Sequence, residues 1–93
     1  MRIVDVNENY SPTGGGVRTY LDRKMGIMAD MGHELIVLAP GERTWLEERP
    51  GGGAIYWLKS PSLIVDRNYR IFVDEVGIWR ILDELKPDVV ENS

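Results

Sequence analysis

Three consecutive glycines, Gly14, Gly15 and Gly16, stand directly before a segment of helical periodicity, and a cation, Arg18, follows two residues later. Glycine lets a backbone come close to a ligand. The free amides at a helix start, with the helix dipole, favour an anion, typically phosphate. Arg18 would add a fixed positive charge to such a site. The same glycines also suit a loop that merely needs unusual dihedrals, so the residues alone keep both readings open. Two sharper motifs are excluded. A dinucleotide fingerprint needs G-x-G-x-x-G, and "GGGVRTY" lacks the third glycine. A P-loop needs Gly-Lys-Ser/Thr at the helix start, where Val17-Arg18-Thr19 stands instead.

Other chemistry is sparse. The chain has no cysteine and one histidine, His33, so thiolate and His-rich metal sites are excluded. One histidine and scattered carboxylates assemble no nucleophile–base pair, and no residue stands out as catalytic. Glu47, Glu48, Asp74 and Glu75 read as solvated helix ends, and Met25, Met28 and Met31 as core fillers. The net charge of −4 argues against a general nucleic-acid binder, which needs a basic face to displace counterions. The start, "MRIVDVNENY", lacks the basic and apolar regions of a signal peptide, and no apolar run approaches the ~20 residues of a membrane span. A cytoplasmic location is the default expectation.

The elements that must position these groups follow from hydrophobic period. "RIVDV" at 2–6 is a β-branched run leading into a turn-rich loop, hence a strand. From Val17, apolar residues Tyr20, Leu21, Met25, Met28 and Met31 recur at helical steps, and Gly32 suits a left-handed cap. "ELIVLA" at 34–39 is apolar throughout, the pattern of a strand covered on both faces. "TWLEE" reads as one helical turn. "AIYWLK" at 54–59 is a third strand, and Val73, Val76, Ile78, Ile81, Leu82 and Leu85 mark a second helix stopped by Pro87. "DVVE" at 88–91 is a fourth strand. Alternating strands and helices predict one Rossmann-like open parallel sheet, order 3-2-1-4, with a helix on each face. The stretch 40–53 has no full helix, which leaves antiparallel pairing of the second and third strands as an alternative. Ligands of such sheets bind beyond the carboxyl ends of the strands, near the point where strand order reverses. His33, at the amino end of its strand, falls on the wrong side and reads as structural.

The Pro12-x-Gly14-Gly15 loop with Gly16, then "GHE" (Gly32–Glu34) before the second strand and "KPDVV" (Lys86–Val90) at the fourth, resembles the amino-terminal domain of family-4-type retaining glycosyltransferases. The likeness is strongest to their mannosyltransferase-like branch, of the two-Rossmann GT-B fold. The resemblance spans most of the chain. It implies transfer of a sugar from a nucleotide-sugar donor to an acceptor hydroxyl, with no permanently bound cofactor. Gly14, Gly15, Gly16 and Arg18 would approach the donor phosphates. Asn7, Tyr10, Ser60, Arg67, Tyr69 and Arg70 would meet the acceptor, a sugar, lipid or small molecule. Tyr10 has an alternative as a loop-packing ring, and 67–70 as a solvated loop. The donor nucleotide and an E-x7-E carboxylate pair belong, in that family, to a carboxyl-terminal domain that these 93 residues do not include, so the chain alone is expected to be inactive. The competing expectation is a non-enzymatic α/β binding or oligomerisation module, including a homodimer through uncovered apolar faces.

Overall fold

The computed structural model describes residues 1–8, 10, 16–62 and 70–92, the side chain of Val17 excepted. Five strands form one sheet: β1 (Arg2–Val6), β2 (Glu34–Gly41), β3 (Trp45–Glu48), β4 (Ala54–Lys59) and β5 (Val89–Asn92). Helix α1 (Gly16–Asp30) follows β1, and α2 (Glu75–Leu85) precedes β5. The spatial order is β3-β4-β2-β1-β5. The four strands foreseen from the sequence thus lie in the expected order, all parallel. The fifth, β3, is added at one edge and runs antiparallel to β4.

Strand β3 corrects the reading of 44–48 as a helical turn. Leu and Glu are good helix formers, but propensity is a small term and strand pairing overrides it here. Trp45 stands opposite Trp57 and Glu47 opposite Ile55. The indole Nε1 of Trp57 donates to Glu47 Oε1 at 2.9 Å, which gives the strand a second tie beyond its ladder. The connection from β2 to β4 is therefore a strand and a hairpin turn, and β2 and β4 pair parallel rather than antiparallel. Strand β2 also runs through Pro40, beyond the expected stop at 39. Pro40 has the same parity as Leu38, whose carbonyl faces β1 and accepts from Asn7 N at 2.9 Å. The missing N–H of Pro40 therefore points past the end of β1, where no ladder donor is needed.

Each helix covers one face. Leu21 and Met25 of α1 pack with Ile3, Leu35, Val37, Ile55 and Trp57, while Ile81, Leu82 and Leu85 of α2 pack with Val4, Ile36, Leu38 and Leu58. Asp74 caps α2 through a 2.8 Å bond from Gly77 N, and Lys86 ends it in the left-handed conformation. At the end of α1, Gly32 takes φ +81°, and the N–H of His33 bonds back to Met28 O. The apolar stripes are narrower than the sequence implies: Tyr20, Met31, Val73 and Val76 are exposed. In the second stripe it is the amino end, Val73 and Val76, that overruns the sheet, whereas Leu85 at its other end is buried.

Candidate functional site

Parallel strands bring their carboxyl ends to one rim, where β1 ends at Asn7, β2 at Gly41, β4 at Ser60 and β5 at Asn92. Helix α1 begins on the same rim, because it leaves from the end of β1. At Gly16, its first residue, no atom of the described residues beyond the helix's own backbone lies within 4 Å of the position a Cβ would occupy, so its backbone is approachable from that side. Gly14 and Gly15 lie outside the described residues, as do Arg67 and Tyr69.

Ser60 is buried, with its hydroxyl donating to Leu58 O at 2.7 Å and its N–H donating to Gly41 O at 2.9 Å. Its carbonyl accepts from Arg70 Nη1 at 2.8 Å, and Arg70 Nη2 lies 3.6 Å from Glu42 Oε1. Glu8 accepts from Phe72 N at 2.7 Å, which fastens the approach to α2 onto the end of β1. Asn7 is buried at the same rim. The structure therefore brings Asn7, Gly16, Ser60 and Arg70 to one side of the sheet.

Tyr10 is placed differently from a freely exposed ligand group. Its ring is buried against Trp57, centroids 5.7 Å apart, and its hydroxyl donates to Asp22 at 2.8 Å. Burial, that hydrogen bond and the Asp22 charge together push its phenol well above the ordinary range. Arg18 sits 3.7 Å from Asp22 and 6.0 Å from the centre of the Tyr10 ring. Asp22 also pairs with Arg49 at 3.1 Å, and Arg49 reaches Glu47 at 2.7 Å. One polar chain thus runs from the first turns of α1 through the hairpin to Trp57. Partial burial opposes the charge on Glu47, but the hydrogen bonds from Trp57 and Arg49 outweigh it and hold the carboxyl below its ordinary range. Glu47 is therefore a hydrogen-bonded anchor and not a solvated helix end.

Glu91 accepts from Lys24 Nζ at 3.1 Å, tying β5 to α1. Burial alone would lower the ammonium of Lys24, but the hydrogen bond and charge of Glu91 prevail and raise it. His33 lies on the amino rim, its Nδ1 3.1 Å from the amino terminus, away from the site. Sequence reasoning missed Asp22, Glu42, Glu47 and Arg49. The available signal was parity: Trp45 and Glu47 share a face if 45–48 is a strand.

Over all its 93 residues the chain is 31% identical to a GDP-mannose-dependent alpha-(1-6)-phosphatidylinositol dimannoside mannosyltransferase, found in two strains of Mycobacterium tuberculosis. The chain is similar to a stretch of a mannosyltransferase. It spans 24% of the length of these curated relatives. No family model matches it, and no solved structure does. The likeness supports a glycosyltransferase-like fragment, and the mixed α/β sheet is compatible with it. No helix among the described residues is long and apolar enough to cross a membrane.

Proposed function

We propose that this chain is the acceptor-side part of a family-4-type, GT-B glycosyltransferase that moves a hexosyl group from a nucleotide sugar to an acceptor hydroxyl. The observation that carries the reading is the 31% identity to a mannosyltransferase along the whole chain. The geometry supports it. The start of α1 at Gly16, with open space where a Cβ would stand, offers the positive end of a helix dipole to a donor phosphate. Gly14 and Gly15 belong to the same loop in this reading, and Arg18 adds charge nearby. Arg70, held by Ser60 and Glu42, keeps further N–H donors for an acceptor oxygen. Asn7 and Ser60 contribute polar groups beside it, and Arg67 and Tyr69 are assigned to the acceptor with them, while Tyr10 braces the start of α1 through Asp22. The nucleotide and the catalytic carboxylates are supplied by a further domain. These 93 residues bind and orient; they do not turn substrate over by themselves.

Titration of the chain with GDP-mannose, followed by amide NMR, tests this reading. Saturable shifts are expected at 16–18. Gly16→Val puts a branched side chain into open space, so far-UV circular dichroism should be unchanged while affinity falls at least about tenfold. Unchanged affinity in that variant, or sugar transfer by the isolated chain, would count against the assignment.

A further inference from the structure

Beside the rim, the chain leaves β2 at Gly41 and turns through Glu42 and Arg43 into β3. Gly41, Glu42, Arg43, Trp45, Glu47 and Trp57 line a cleft of about 650 Å³. That volume lies within the usual range of small-molecule sites. Gly41 lets the floor pack closely: a Cβ there would stand 3.0 Å from the Trp57 ring, so a larger residue would press the indole away from β2 by a few tenths of an ångström. Trp45, directly across the ladder from Trp57, keeps 39% of its surface exposed. The guanidinium of Arg43 is 4.8 Å from the centre of the Trp45 ring, and among the described residues it meets no carboxylate. The Glu42 side chain, mostly exposed, forms the border with the rim through its 3.6 Å approach to Arg70.

An exposed indole beside a guanidinium and two carboxylates has the chemistry that a pyranose requires. The C–H face of the sugar meets the electron-rich face of the ring, and its hydroxyls meet the guanidinium donors and carboxylate acceptors that line the cleft. We infer that this cleft is a saccharide subsite, in which Trp45 holds a neutral hexosyl unit of the acceptor and Glu42 joins it to the rim. The inference deepens the acceptor-side reading and rests on it for the class of ligand.

The test is calorimetric titration of the 93-residue chain with methyl α-mannopyranoside and with an α-(1-6)-linked mannobiose, with guanosine as a competitor. Saturable saccharide binding is expected, weakened at least about tenfold in Trp45→Ala (about 1.4 kcal/mol) and largely retained in Trp45→Phe. Should Trp45→Ala lose its far-UV signal, Arg43→Ala and Glu42→Ala, both on an exposed turn, are each expected to weaken binding severalfold. Trp79→Ala, which removes an exposed indole outside the cleft, should leave saccharide affinity unchanged. No saturable binding of either saccharide, affinity indifferent to all these side chains, or displacement by guanosine would overturn the subsite. Binding of GDP-mannose sensitive to Gly16 could persist in any of these cases, so failure of the subsite and failure of the donor loop are distinguishable.

Discussion

At the scale of single residues, the least visible side chain has one of the largest consequences. Gly53 ends the hairpin turn at φ +77°, and a Cβ there would lie 2.7 Å from Leu35 O and 2.9 Å from Met25 Cγ. Gly53→Ala therefore meets both an unfavourable dihedral and the carbonyl of a central strand, and should lower stability by about 1–3 kcal/mol, read as the urea midpoint. Glu47 carries a different signature. Its carboxyl is held below the ordinary value of 4.5 in the folded chain, so folding favours the charged form. Its contribution is complete at neutral pH and disappears as the pH falls through the carboxylate range. Glu47→Gln should thus destabilise the protein at pH 7, and the gap to the parent chain should narrow progressively below about pH 5. A gap independent of pH would mean that shape, not charge, is what Glu47 provides.

At the scale of elements, Lys24 and Glu91 connect α1 to the edge strand β5 across β1. Both side chains retain contact with water, and a double-mutant cycle with Lys24→Met and Glu91→Gln should return a coupling of only about 0.2–1 kcal/mol, smaller in high salt. Most elements were legible because each buries a repeating set of residues. β2 is apolar without interruption since both helices cover it, and α1 shows Leu21 and Met25 four residues apart for the same reason. β3 was hidden. Four residues are too few to display a period, and its partner residues lie about ten positions further on, beyond a glycine turn. The exposure of Val73 and Val76 was equally hidden, because α2 starts only at Glu75 and turns Val76 outward. Position along a stripe does not reveal where the sheet beneath it stops.

For the whole molecule, topology made the rim legible before any side chain was placed: parallel strands in the order 3-2-1-4 leave Asn7, Gly16 and Ser60 no choice of side. The sequence did not disclose which groups would hold them there. Arg70 meets Ser60 and Glu42 only once the chain has folded, and Trp45 acquires its neighbours only once β3 exists. The polar chain from Tyr10 through Asp22, Arg49 and Glu47 to Trp57 is likewise a product of three-dimensional assembly. It links the opening of α1 to one indole sheltered from water, whereas Trp45 and Trp79 face solvent. The arrangement predicts an optical gauge built into the protein: a displacement of that helix end should disturb the shielded chromophore and shift the blue edge of tryptophan emission, without any attached dye.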